Sequence, residues 1–178
     1  MMTRWCMVAA LMLGGCAGLG ETERFAAPSP PFEPAAFFAG ASHGEARLKI
    51  LFRAPQRVTV DSLGRVGADG VLLLDQRIRQ GDAPVRERRW RIRPDGPGRY
   101  VGSLTDAEGP VTGEVEGNRL HLHFRTHGGL DMEQWLFLEP GGQVAHNRMV
   151  VRKLGLTVAV LDEVIRRAPP SSEPAAHR

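Results

Sequence analysis

Apolar and polar residues alternate with a period of two through most of this chain. Leu48, Ile50 and Phe52 alternate with Arg47, Lys49 and Arg53, and Val58 and Val60 continue the pattern. Val71 to Ile78 form the next apolar stretch. Arg88, Trp90 and Ile92 then share one face while Arg89, Arg91 and Arg93 share the other, and Leu120, Leu122 and Phe124 alternate with His121, His123 and Arg125. A two-residue period sends alternate side chains to opposite faces of a strand. Turn signals interrupt it at Ala68-Asp69-Gly70, Gly81-Asp82, Asp95-Gly96-Pro97-Gly98, Glu116-Gly117-Asn118, Gly128-Gly129 and Pro140-Gly141-Gly142. Strands of about ten residues joined by such turns are hairpins in sequence order. Val158 to Arg167 is the one stretch read as a helix, against its β-branched content.

About eight to ten antiparallel strands must manage their edges, and closing into a barrel removes them. The expected fold is therefore all-β, an up-and-down antiparallel β-barrel. A β-sandwich is the alternative, but it needs a long crossing connection and every connection here is short. Pro28, Pro30, Pro31 and Pro34 with many small residues predict a flexible tether over 17–36. The barrel is expected over 37–168, with Phe37 and Phe38 where the chain docks, and a disordered tail over 169–178.

The N-terminus changes the picture. Arg4 precedes an apolar run from Met7 to Leu13, followed by Gly14-Gly15-Cys16. The run is too short to span a bilayer. The pattern resembles a bacterial lipobox, which implies removal of residues 1–15 and lipidation of Cys16; the alternative is an ordinary signal peptide containing a cysteine. Cleavage would remove Arg4 and no acid, lowering the net charge from +3 to +2. The basic residues are dispersed, so no nucleic-acid partner is expected. Cys6 would leave with the leader and Cys16 would carry lipid, so no disulfide is expected. Ala17 and Gly18 are not acidic, which favours the periplasmic face of the outer membrane.

A further set of residues carries a family resemblance. Phe37-Phe38, Gly40, Arg88, Trp90, Ile92, Tyr100, Gly102, Asp106, Gly109, Gly113 and Gly117-Asn118 occur in order, followed by Trp135 to Leu138, Asn147-Arg148, Lys153 and Gly155. Together they resemble the domain-of-unknown-function 3833 family of bacterial lipoproteins. Glu133 and Gln134 depart from the two aspartates usual in that family. The resemblance implies a lipocalin-like, or calycin-like, fold and an envelope location, and supplies no activity.

Candidate chemistry comes from strand faces. Arg88 shares a face with Trp90, Glu133 with Trp135 and Phe137, and Asn147 and Lys153 with Met149 and Val151. If those faces point inward, Arg88 pairs with Glu133 or with an acidic ligand head, because an unpaired buried charge is costly. The bland alternative is an internal salt bridge or residues at the rim. His121, His123 and His127 could hold zinc only with a further ligand, and none is identifiable, so no metal or cofactor is expected. Ser62 and Ser103 lie in no nucleophile elbow. Gly109, Gly113 and Gly117 suit bulges or bends rather than a phosphate loop.

The expectation is thus a non-catalytic, lipid-anchored envelope protein holding an apolar or amphipathic small molecule. The alternative is an interaction module whose barrel is filled by its own side chains. An interior pocket of roughly 300 Å³ or more would favour the ligand.

Overall fold

Residues 20–169 are described by the structure, a computed structural model. Ten antiparallel strands follow one another as neighbours and close into a barrel. They are β1 (Gly40–Ile50), β2 (Gln56–Val66), β3 (Leu72–Gln80), β4 (Arg86–Pro94), β5 (Arg99–Leu104), β6 (Ala107–Glu116), β7 (Arg119–Thr126), β8 (Leu130–Leu138), β9 (Val144–Lys153) and β10 (Leu156–Arg167). The seam is β1 on β10, in register from Ser42 opposite Arg167 to Ile50 opposite Ala159. Closure leaves no edge, and the expected barrel rather than the β-sandwich is formed.

The helix expected over Val158 to Arg167 is corrected: this segment is β10. Leu161, Glu163 and Ile165 alternate inward, and the strand pairs with both β9 and β1. Its β-branched residues suit a strand paired on both sides, and barrel closure outweighs any helical preference. Phe52 is also corrected, from strand to the β1–β2 turn. Every polar turn signal read from the sequence falls at a hairpin. Gly109 lies in the register shift of β6, as a bend residue should.

The barrel has two unlike ends. At one, the core residues Leu72, Ile92, Leu120, Leu136 and Ala145 pack against Phe32, Phe37 and Phe38. These phenylalanines belong to the N-terminal segment and to α1 (Pro34–Phe38), whose first-turn proline presets its backbone. The rings of Phe37 and Phe38 meet edge to face at 4.8 Å. They plug that end. At the other end Leu48, Ile50, Leu130, Met149 and Ala159 face inward but stay only half-buried. That end is open.

The tether expected over 17–36 is corrected for residues 20–36, which lie against the barrel. Phe32 is fully buried. A 3₁₀ turn at Gly20–Phe25 lies on β8 and β9, and Phe25 stacks on His146 at 3.6 Å. Buried Asn118, in the β6–β7 turn, holds this segment. Its Nδ2 donates to the carbonyls of Phe25 (2.8 Å) and Leu138 (2.7 Å), and its Oδ1 accepts from the Ala27 amide (2.7 Å). A proline-rich composition thus orders because the barrel supplies apolar surface and hydrogen bonds that the segment lacks on its own. Cys16 and the leader, like the tail beyond Pro169, lie outside the described residues.

Candidate functional site

Polar residues interrupt the apolar inner face in a band across several strands. On β3, Gln76 stands between inward-facing Leu74 and Ile78; on β2, Ser62 follows Val60; on β10, Glu163 lies between Leu161 and Ile165. Arg88 enters from the open-end start of β4, one inward position before Trp90. Gln76 joins them: its Oε1 accepts from Arg88 Nε at 2.8 Å and from Trp90 Nε1 at 2.7 Å, while its Nε2 donates to Ser62 Oγ at 3.1 Å. The Arg88 guanidinium carbon lies 5.2 Å from the Trp90 ring centre, a cation–π contact. Trp90 in turn meets Phe124 edge-on at 5.3 Å. One nitrogen of the guanidinium is therefore fixed, which restricts how its planar fork can turn.

Among the described residues no carboxylate lies within ion-pair distance of Arg88. Glu163 and Asp106 act on it only through their longer-range fields. Burial pulls the guanidinium down from its ordinary value, against the pull of those two acids, and it remains a cation. Burial pushes the Glu163 carboxyl up, opposed chiefly by the hydrogen bond it accepts from Asn147 Nδ2 at 2.7 Å. Gly44 makes room for this carboxyl: a Cβ there would lie 2.0 Å from Glu163 Oε1. Asn147 Oδ1, Gln134 Oε1 and Asp106 Oδ1 are buried without a protein partner. A lumen with unsatisfied acceptors and a fixed cation can hold a polar head or water.

The residues nominated from the sequence divide. Arg88, Trp90 and Asn147 face the lumen as expected, and Lys153 lies exposed at the open rim. Glu133 and Trp135 are corrected to the outer face. Glu133 pairs there with Arg152, so it cannot meet Arg88, and Trp135 stacks on His121 with ring centres 5.0 Å apart. Phe137 is corrected too: it is fully buried but lies on the outer face, opposite His146 on which Phe25 stacks. Met132, Gln134, Leu136 and Leu138 point inward instead. The phase of β8 follows from Asp131 and Glu133, whose charges stay solvated and paired only outside.

Gln76, Ser62, Asp106 and Glu163 were not nominated. The available signal was a lone polar residue on an apolar stripe, clearest for Gln76 and Glu163. The histidines each meet a carboxylate that sequence alone did not place: His123 with Asp131 (2.7 Å), His127 with Glu108 (3.0 Å) and His121 with Glu133 (3.8 Å). Burial draws the His121 pKa down. Among the described residues no three potential ligands converge.

The outer wall is a ladder of opposite charges. Asp75 bridges Arg65 and Arg89, and Asp61 bridges Arg79 and His43. Such a wall faces water, the reverse of a membrane-spanning barrel. A groove of about 580 Å³ runs along it, lined by Asp61, Leu63, Asp75, Arg77, Glu87 and Arg89 among others. Those side chains alternate outward, and Ser62, Gln76 and Arg88 of the lumen band line the same groove. A second hollow, of about 320 Å³, lies at the open rim beside Ile50, Leu51, Phe52 and Val158.

The model of the family described as "Protein of unknown function (DUF3833)" matches residues 10–167. No curated protein matches. Among solved structures the barrel is similar to the S-type phycobiliprotein lyase CPES from Guillardia theta, with a TM-score of 0.62 at 7% identity, over 76% of this chain and 91% of that one. It is also similar to Rv2717c from M. tuberculosis, with a TM-score of 0.61 at 15% identity over 78% and 99%. A protein with unknown function from the DUF3598 family of Nostoc punctiforme gives 0.60 at 13% over 78% and 51%. These likenesses show a shared lipocalin-like fold.

Proposed function

The chain belongs to the DUF3833 family, and we propose that its barrel binds an amphipathic small molecule with an acidic head. The apolar part would occupy the open half of the lumen, beside Leu48, Ile50, Met149 and Ala159. The acidic head would meet Arg88. One observation carries the reading: a cation oriented by Gln76 and Trp90 stands inside the barrel with no carboxylate at ion-pair distance among the described residues. A ligand acid would supply the missing partner through paired, charge-assisted hydrogen bonds. In this reading the barrel binds its ligand without catalysing a reaction. One similar barrel is titled a lyase, and its likeness at 7% identity extends to fold alone. In the same reading Cys16 carries lipid that anchors the protein at the periplasmic face of the outer membrane.

The experiment is native mass spectrometry with lipid extraction, on protein taken from the envelope without detergent exchange. A stoichiometric acidic amphiphile in wild type, lost in Arg88→Gln, is expected. An empty wild-type barrel with protein partners attached would favour the second reading, an interaction module. That reading draws on the closed half of the lumen, which Leu72, Leu120, Leu136 and the plug phenylalanines fill. For the anchor, Cys16→Ala should abolish labelling by radioactive palmitate, and persisting label would refute it.

A further inference from the structure

The turns at the open end carry large apolar residues where hairpins ordinarily carry polar ones. Leu51 and Phe52 form the tip of the β1–β2 turn, and Leu154 that of the β9–β10 turn, with Leu156 just beyond; Val85 ends the β3–β4 turn. Phe52 is 96% exposed, Leu154 94%, Leu156 72% and Leu51 53%. Among the described residues these five account for all but two of the exposed large hydrophobic side chains, the others being Leu63 and Val66 on β2. Because β10 neighbours β1, the Leu154 and Phe52 turns are adjacent, and Leu51 N–H donates to the Val158 carbonyl at 2.8 Å. Leu51, Phe52, Leu154 and Leu156 thus form one patch on the rim, with Val85 on the next hairpin along the same end.

Two features make the patch unlike incidental exposure. Phe52 and Leu154 hold left-handed backbone, with φ of 61° and 51°, and among the described residues they are the only non-glycines that do so. Bulky side chains are disfavoured there, where glycine or asparagine would relieve the strain. Strain kept in order to display a phenylalanine and a leucine to water has no folding benefit. The second feature is charge. Lys49, Arg53, Arg86 and Lys153 surround the patch, all exposed and none in an ion pair among the described residues, against Asp82 alone on these turns. Elsewhere on the barrel, Arg57, Arg65, Arg79, Arg89 and Arg148 are each paired across strands.

We infer that the open rim docks on an anionic lipid surface, with Phe52 and Leu154 entering the headgroup–acyl boundary and the four cations lying among lipid phosphates. Protruding apolar tips ringed by long cationic side chains fit the interfacial geometry, in which stems reach through the boundary while charges stay at headgroup level. A protein partner would instead need a pocket for each tip. The inference depends neither on the lipid at Cys16 nor on a lumen ligand, although it would put the open lumen against its source of amphiphiles.

The test uses the full chain carrying Cys16→Ala, so that no acyl anchor contributes. Flotation with vesicles of phosphatidylcholine containing phosphatidylglycerol should recover the protein, with at least tenfold weaker recovery on phosphatidylcholine alone. Phe52→Asp with Leu154→Asp should lower binding to anionic vesicles at least tenfold while leaving the melting temperature within a few degrees. Phe52→Gly with Leu154→Gly relieves the strain without adding charge; it should also lose binding while melting no lower. Unchanged binding by both variants would overturn the inference. So would failure of the parent protein to float, or a protein partner that is lost from the rim in these variants. Arg88 is untouched throughout, so a failure here leaves the lumen reading standing.

Discussion

Replacing Gly64 by alanine should strain the docking of the plug. Gly64 faces the lumen near the end of β2, and α1 lies directly over it. A Cβ at this position would lie 1.8 Å from the Phe38 carbonyl oxygen and 2.8 Å from its carbon, with Leu72 Cδ1 at 3.3 Å. Carbon and oxygen need about 3.3 Å, so the α1 backbone must retreat by about 1.5 Å. A backbone oxygen cannot rotate away as a side chain can. Forcing the fit costs about 1–3 kcal/mol by analogy with overpacked cores. Releasing the plug would forgo burial of three phenylalanines at about 1.5–3 kcal/mol each, so strained docking is the cheaper response. We expect a loss of about 2–3 kcal/mol, which for a domain of this size lowers the melting temperature by about 5–10 °C. Thermal unfolding followed by circular dichroism measures it, with limited proteolysis reporting whether residues 20–39 become cleavable. Melting within about a degree of wild type, with unchanged protection, would refute the close approach.

Other substitutions probe the rest of the argument. Asn118→Ala removes three hydrogen bonds and strands the Ala27 amide and two carbonyls, so a loss of about 2–4 kcal/mol is expected in denaturant titration; Asn118→Asp should fail to rescue it, because the Nδ2 donors are gone. Glu163→Gln keeps an acceptor for Asn147 but removes the buried charge. Since burial raises the Glu163 pKa on folding, its contribution is full below the unfolded value and is lost as pH climbs through the folded one. The variant's advantage in melting temperature should therefore grow as pH rises from the ordinary carboxyl range through the raised folded-state value, and a constant difference would contradict the burial. Leu136→Ala should cost about 2–5 kcal/mol and Trp135→Ala less than about 2, reporting the phase of β8 in denaturant titration. Trp135→Ala should also let the His121 pKa rise, read by NMR titration, because the indole stacked on it helps exclude water.

The elements that sequence misplaced share a cause. For β8 both parities carry large apolar residues, so the aromatic pair Trp135 and Phe137 competed with Met132, Leu136 and Leu138 for the inner face. Asp131 and Glu133 held the answer, since their partners His123 and Arg152 come from the neighbouring strands outside. The turns at Leu51–Phe52 and Leu154–Gly155 went unread because their side chains are apolar, and the Phe52 and Leu154 backbones adopt a conformation those residues disfavour. Of the lumen band, Arg88, Trp90 and Asn147 were legible as polar or amphipathic groups on apolar stripes. Gln76, which orients Arg88, was equally placed but carries no charge to attract notice.

The two-residue period and the polar turn signals determined by themselves that this chain makes a meander of antiparallel hairpins, because both are local properties of strand and turn backbones. They also placed Arg88 and Trp90 on a common inner face. Only the tertiary structure decided what lies across from them. Whether a cation finds a carboxylate, whether a proline-rich segment has a surface to cover, and which end of the barrel stays open depend on contacts between residues far apart in sequence. The plug at Gly64, the Asn118 clamp and the apolar rim are contacts or surfaces of that kind, and they exist only once β1 meets β10.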